Sequence, residues 1–326
     1  MARPEPAWVP PLREGVGASR VGVGVSHFPT LFDFLVARFP AIDNWVARLA
    51  RGDVLDASGQ PMSGDAPCLP GMQFWYWRDP PPEPHVPFDI DLLHQDQHLV
   101  VVDKPHFLAT MPGGRHLRQT VLVRLKQLLG IDTLAPMHRL DRDTAGVLAF
   151  TVQPATRGAY QALLRERRVH KVYEAIAPWR ADLALPLLCR SRLEQPPTAS
   201  FMQMQVVKGE ANAQTLIELI GQVNVPSSRF DGNSVEALAL AHYRLTPHTG
   251  RRHQLRAQMN ALGLPIVGDR IYPELLPDLA PGAEPDYSQP LQLLARELSF
   301  IDPIDGRQRS FLSRRRLQHA ALVGRV

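Results

Sequence analysis

Met137 to Phe150 reads MHRLDRDTAGVLAF, with two arginines and two aspartates set directly against an apolar run. A solvated turn would account for the charges alone. It would not account for the continuation, because GVLAFTV, Gly146 to Val152, has the length and composition of a buried strand. An aspartate at the mouth of such a strand, between arginines, has its charged form favoured by the neighbouring cations. That suits a nucleophile or an electrostatic stabiliser better than a proton donor, and it makes Asp141 the leading candidate for chemistry.

Outward from this elbow, HLVVVDKP is expected to be a buried strand ending at Pro105, and QTVLVRLKQLLG an amphipathic helix with Leu122, Leu125 and Leu129 inward and Gly130 as its stop. PATRGAYQALLRER places Pro154 in a first helical turn, with Tyr160, Leu163 and Leu164 inward. HKVYEAIA, FMQMQVV and LALAHYRL read as strands, RRHQLRAQMNALG as a helix closed by Gly263, and FIDPIDGRQRSF as a hairpin turning at Asp305-Gly306. Strands outnumber helices and hairpins recur. The fold class expected is α/β (α+β), a largely antiparallel mixed sheet with flanking helices.

Nearer the start, TLFDFLVARFP puts Leu31, Phe34 and Leu35 on one helical face before Pro40. DNWVARLARG is a second helix from a capping Asp43 to Gly52, and DVLDASGQPM a strand with a turn at Ser58-Gly59. The chain has 31 prolines, densest in RDPPPEPHVP, where missing amide donors and fixed φ forbid a helix or central strand. The division expected is an N-terminal extension over 1–26, a small α/β accessory domain over 27–78, a proline-rich linker over 79–87 and a catalytic domain over 88–326. The glycine-rich GVGASRVGVGV has no preceding strand and opens no helix, so it is not read as a nucleotide loop.

Composition narrows the class. The 326 residues are 44% hydrophobic, yet no window approaches the roughly 18 apolar residues of a membrane span, and the start lacks the apolar stretch of a signal peptide. A cytoplasmic protein is expected. Cys68 and Cys189 stand far apart without CxxC spacing, which excludes a zinc ribbon or disulfide framework and suggests two buried thiols. The net charge is +4, but its distribution is uneven: seven Arg or Lys face three Asp or Glu between His138 and Lys171. The tail adds Arg307, Arg309 and Arg314 to Arg316, so a polyanionic partner is expected.

Competing chemistries find little support. His94 and His98 are four apart but lead into a strand and lack the HExxH glutamate. HRLD is one residue longer than the HRD of kinase loops, and neither a DFG nor a glycine-rich phosphate loop accompanies it. There is no G-x-S-x-G elbow, and no second carboxylate or histidine base is placed for a hydrolase built on Asp141.

Four segments, in order, then carry a family resemblance. HRLDRDTAGVLAF resembles the HRLDxxTSG signature of the RluA-type RNA pseudouridine synthases, and VVDKPHFLATMPGG the strand and loop before it. ERRVHKVYEA resembles the segment with the family's K-x-Y, and TPHTGRRHQLRAQMNALGLPIVGDRIY its TGRxHQxRxH...GxPIxGDxxY block. Together they span roughly residues 90 to 275. Three departures stand out: Ala145 replaces the signature's serine, His106-Phe107 replaces small residues, and IAPW lacks the glycine expected after KVYEA. None removes a group the chemistry requires. Separately, residues 27 to 78 loosely resemble the RNA-binding module named after a small-subunit ribosomal protein.

The main resemblance implies an isomerisation of uridine in ribosomal or transfer RNA; a monomer is expected. The bond from uracil N1 to ribose C1′ breaks, the base turns, and C5 bonds to C1′, so neither cofactor nor metal is implied. Asp141 would be the essential carboxylate, attacking C1′ or removing a ribose proton. Tyr173 would lie against the base and could take the C5 proton, and Arg256 would pair with Asp141. Arg139 would fill the space left by the flipped uridine. Arg251 and Arg252 are candidates for phosphate contacts at a helix start, and His138, Lys171 and His253 are further substrate-binding candidates. The rival reading is an idle RNA-binding or ribosome-assembly protein that keeps the fold.

Overall fold

The computed structural model describes residues 8–40, 42, 44–78, 83–114, 116–196, 203–223, 239–277 and 283–318. They form two units, one of residues 1–83, 112–118 and 123–132, the other of 84–111, 119–122 and 133–326.

In the first unit a three-stranded antiparallel sheet holds β1 (Ser19–Gly22), β2 (Val54–Asp56) and β3 (Gln73–Tyr76), with β3 central. Helix α1 (Leu31–Arg38) starts where the Thr30 hydroxyl accepts from the Asp33 amide at 3.2 Å, and it buries the expected Leu31, Phe34 and Leu35. Helix α2 (Trp45–Ala50) follows; Asp43, expected to cap it, lies outside the described residues. Trp45, Phe74 and Tyr76 complete an aromatic core with α1.

This unit differs from the expected division in two places. Ser19–Gly22, assigned to an extension, is β1 and pairs with β3 from Ser19↔Tyr76 to Gly22↔Gln73. Residues 112–118 and 123–132, assigned to the catalytic domain, group here because Val16, Leu117 and Val123 share an apolar cluster. Accordingly, helix α3 (Val121–Leu129) buries Val121, Val123 and Leu125, while Leu122 and Leu129 are only half-buried. The pattern of leucines alone could not show which face the N-terminal segment would cover. Of the expected linker, residues 79–82 lie outside the described residues.

The second unit is built on an eleven-stranded sheet. Its strands are β4 (Asp91–Gln95), β5 (Leu99–Lys104), β6 (Ala135–Pro136), β7 (Ala145–Thr151), β8 (Val169–Pro178), β9 (Leu187–Glu194), β10 (Gln205–Val207), β11 (Ala213–Val223), β12 (Leu240–Pro247), β13 (Leu293–Ile301) and β14 (Gln308–Leu312). The main order is β10-β9-β11-β12-β8-β13-β7-β5-β4, with β14 on β13 and β6 on β7. Of the strand pairs among the described residues only β13 with β7 is parallel, so the sheet is largely antiparallel as expected. Of FMQMQVV, Phe201 and Met202 lie outside the described residues. Helix α4 (Pro154–Arg165) packs Tyr160 and Leu163 against Val147 and Ala149, and helix α5 (Gln254–Ala261) packs Leu255 and Met259 against β8, β11 and β12. Cys68 is buried as expected, but Cys189 is only half-buried, with its thiol pushed up by burial.

Every residue of β7 is buried, and its first residues lie between β5 and β13. At Gly146, φ is +112°, and a Cβ would stand 2.2 Å from the Ala295 carbonyl oxygen of β13. Only glycine permits that approach. The close pairing ties the start of β7, and with it the charged loop before it, to the interior strands β13 and β5 rather than to an edge strand.

Candidate active site

Main-chain capture shapes the 138–144 loop. The Thr110 hydroxyl donates to the Leu140 carbonyl at 2.8 Å and accepts from the Leu140 amide at 3.1 Å. Lys104, completely buried at the end of β5, donates to the carbonyls of Pro105 (2.9 Å), Leu108 (2.7 Å) and Arg142 (2.8 Å). Burial draws this ammonium down to about 7, against the pull of the Asp143 and Asp141 charges. The His106 ring donates from Nδ1 to the Asp143 carbonyl at 2.7 Å. Burial lowers that imidazole to about 4, so it stays neutral.

Within the loop Arg142 and Asp143 pair with each other, Nε to Oδ1 at 2.9 Å. Burial opposes ionisation of Asp143, but Arg142, Arg256 and Lys104 outweigh it and hold the carboxyl below its usual range. This pair braces the loop and leaves Asp141 free to engage elsewhere.

Asp141 meets Arg256, whose Nη1 donates to Oδ2 at 3.0 Å. The guanidinium is 2% exposed and the carboxylate 30%. On its other edge Arg256 donates to both oxygens of Asp269, at 2.8 and 2.6 Å, and Asp269 also accepts from the amides of Ile271 and Tyr272. Burial works against the charge of Arg256, yet Asp269 and Asp141 together raise its pKa. Gly268 (φ +75°), before Asp269, leaves no room for a Cβ, which would lie 2.4 Å from the Pro290 carbonyl oxygen.

His253 takes a left-handed conformation (φ 49°) at the start of α5, its Nε2 3.8 Å from Asp141 Oδ1 and its Nδ1 3.4 Å from the Tyr272 hydroxyl. Burial lowers its pKa more than Asp141 raises it. Tyr173, on β8 opposite Leu245 and Ala295, is a high-pKa phenol because burial and the Asp141 charge both disfavour its anion.

The remaining candidates divide. Lys171 is close to Gly250, whose notional Cβ would lie 3.6 Å from Nζ, and burial lowers the lysine. The His138 Nε2 accepts from the Ala149 amide at 3.3 Å, and burial, helped by Lys171, lowers it to about 3; it is a neutral anchor of the loop on β7. Arg139 is exposed and makes no hydrogen bond or ion pair with the described residues. Arg251 and Arg252, also exposed, precede α5 by two or three residues instead of forming its first turn, and Arg251 Nε donates to the Asn212 carbonyl. Helix α5 has no solvated polar face: Gln254, Arg256 and Gln258 are all buried. Sequence reasoning passed over Lys104, His106 and Asp269. The signal for Lys104 was a charged pair, Asp103-Lys104, closing the apolar run LVVV, and for Asp269 an acidic residue after a glycine in the already quoted GDRIY.

The Asp141–Arg256–Asp269 chain thus joins two of the four motif segments, Lys104 of a third holds the Arg142 carbonyl beside Asp141, and the fourth, bearing Tyr173, lies on β8, paired with β13. Residues 98–261 match the family described as RNA pseudouridylate synthase. The chain belongs to this family. A dual-specificity RNA pseudouridine synthase RluA of Haemophilus influenzae is 33% identical over 240 residues, covering 72% of this chain and 94% of that protein. An uncharacterized RNA pseudouridine synthase of Synechocystis is 29% identical over 229 residues, covering 70% and 73%. The structure of human RNA pseudouridylate synthase domain containing 1 shares the fold at 20% identity, with a TM-score of 0.53 over 72% of this chain and 86% of that one. The present chain is therefore an RluA-type RNA pseudouridine synthase, an isomerase acting on RNA. Among the described residues no helix is long and apolar enough to cross a membrane.

Proposed function

We propose that this pseudouridine synthase isomerises uridine of ribosomal or transfer RNA at Asp141, after the base has been turned out of the helix. The observation that carries the residue assignment is the pairing of a partly open carboxylate with a buried arginine, Asp141 Oδ2 to Arg256 Nη1 at 3.0 Å. Arg256 fixes one oxygen and leaves Oδ1 for C1′ or a ribose proton. Either route ends with C5 bonded to C1′ and the C5 proton released.

Tyr173 supports this chemistry through its ring. Its phenol is kept neutral, so removal of the C5 proton by its oxygen would first require loss of its own proton; packing against the uracil is the role its electrostatics favour. Arg139, exposed two residues before Asp141, can stack and hydrogen-bond in the space a flipped base leaves. Lys171, Arg251, Arg252 and His253 would hold the strand near the reacting nucleotide. An idle RNA-binding protein would have no use for a carboxylate held open toward an anionic ligand, which disfavours the rival reading.

Tritium release from RNA labelled at uracil C5 tests the reading. Ribosomal and transfer RNA should both be offered, since the Haemophilus influenzae relative is named for dual specificity. Release that depends on Asp141 and stops in Asp141→Asn is expected. No release from any cellular RNA fraction would sink the enzymatic reading, and full release by Asp141→Asn would sink the residue assignment.

A further inference from the structure

The first unit contains a cavity of about 630 Å³ whose lining includes none of the candidate active-site residues. Its wall carries five arginines, Arg13, Arg48, Arg51, Arg78 and Arg118. Only two carboxylates, Glu14 and Asp53, line it with them, so the cationic surplus is five minus two, or three charges.

The distribution of partners sharpens this imbalance. Arg13 and Arg51 share Asp53 at 2.7 and 2.9 Å, and Arg118 takes Glu14 at 2.7 Å. Arg48 is 3% exposed, yet its hydrogen bonds go to neutral acceptors, the Asn44 side chain at 2.6 Å and the Trp77 carbonyl at 2.5 Å. A buried guanidinium without a carboxylate is costly unless an anion completes it. Next to it stand two buried donors without acceptors among the described residues, the indole nitrogen of Trp77 and Nε of Arg78. The Trp77 side chain is 6% exposed and lies under the Arg13 guanidinium at 3.6 Å. Unmet donors beside surplus positive charge call for a ligand that brings several acceptor oxygens and negative charge together. The volume falls within the roughly 300–1,000 Å³ of small-ligand sites and exceeds what a lone inorganic ion would fill.

We propose that this cavity binds the phosphate of a nucleotide, free or within an RNA strand. The RNA form of the proposal rests on the reading that the chain acts on RNA. Binding of AMP and of a short oligoadenylate to the full chain at low salt tests it, since neither probe carries a uridine to react. Arg78→Ala and, separately, Arg118→Ala are expected to weaken binding about tenfold, and to lower the salt slope for the oligonucleotide by about 0.7 per lost phosphate contact. Arg78→Lys, which keeps the charge, should recover part of the loss.

Weakening of both probes identifies a site for a nucleotide by itself, and weakening of the oligoadenylate alone identifies a strand site. Affinities within about twofold of the unaltered chain for both alanine variants, or no binding of either probe by the unaltered chain, would overturn the proposal. Tritium release by the unaltered chain is a separate readout. Its absence alongside arginine-dependent binding would sink the catalytic reading alone, whereas release without arginine-dependent binding would sink the cavity alone.

Discussion

Replacing Lys104 with methionine should separate stability from activity. The buried ammonium satisfies the carbonyls of Pro105, Leu108 and Arg142, and its loss leaves three acceptors unmet. At about 1–3 kcal/mol each, that costs roughly 5 kcal/mol. In the other direction, burial takes the amine from 10.5 to about 7, a penalty of about 5 kcal/mol at low pH that disappears with the charge. The two effects nearly cancel, so near pH 7 the variant should unfold within about 2 kcal/mol of the unaltered chain. The sign with pH is distinctive. Because the folded pKa lies below the unfolded one, the unfolded chain holds more protons between about 7 and 10.5. The unaltered chain is therefore most penalised below pH 7 and gains stability as pH rises through that window. Methionine does not titrate, so the gap should move by about 2 kcal/mol in favour of lysine between about pH 7 and pH 9. Activity has no such compensation, because the Arg142 carbonyl next to Asp141 loses its anchor; a fall of about 100-fold in turnover is expected for a displacement of that kind. Urea unfolding at the two pH values and tritium-release turnover are the assays. A pH-independent gap would refute the buried-charge reasoning, and a folded variant with full turnover would refute the anchoring role.

Three other substitutions probe neighbouring steps. Asp269→Asn leaves Arg256 buried with a weaker second partner and should cost about 3–5 kcal/mol in urea unfolding, with turnover reduced as well; unchanged unfolding would show that the pair does not hold Arg256. Gly146→Ala forces a side chain to 2.2 Å from the Ala295 oxygen at φ +112°, so a loss of at least about 4 kcal/mol, or failure to fold, is expected, and a variant of normal stability would contradict the strand pairing. Tyr173→Phe keeps the ring and should hold turnover within about tenfold; a loss of about 1,000-fold would instead assign the hydroxyl to proton transfer.

What could be read from the sequence was whatever depends on neighbours along the chain. The apolar run of β7, the buried face of α1 and Pro154 at the start of α4 are local signals, and the structure places them as expected. Strands β9 and β11 escaped because LLCRSRLE and AQTLIELIGQV mix polar with apolar residues, and only pairing with each other and with β12 makes strands of them. The burial of α5 was hidden for a similar reason. Gln254 and Gln258 look like solvated residues, yet they donate to Thr215 and Ser191, respectively, 39 and 67 positions away. The same holds for Asp269: its identity is local, but its value as a clamp on Arg256 exists only once α5 and the following loop are folded together.

That clamp changes how Asp141 should be understood. A lone arginine facing a lone carboxylate forms a neutral pair in which the negative charge is largely answered. Here one guanidinium meets two carboxylates, and the fully buried Asp269 takes two of its donors while Asp141 takes one. The group therefore carries a formal charge of minus one, and the geometry leaves that surplus on the member 30% open to solvent. Arg256 then positions Asp141 without quenching it, which is what the proposed attack on C1′, or stabilisation of positive charge developing there, would require. The lowered pKa of His253, whose Nε2 stands 3.8 Å from Asp141, and the pairing of Arg142 with Asp143 serve the same end by limiting other cations at Asp141. The charges that crowd MHRLDRDTAGVLAF are accordingly sorted by the fold into one braced pair, one exposed arginine and one carboxylate held open.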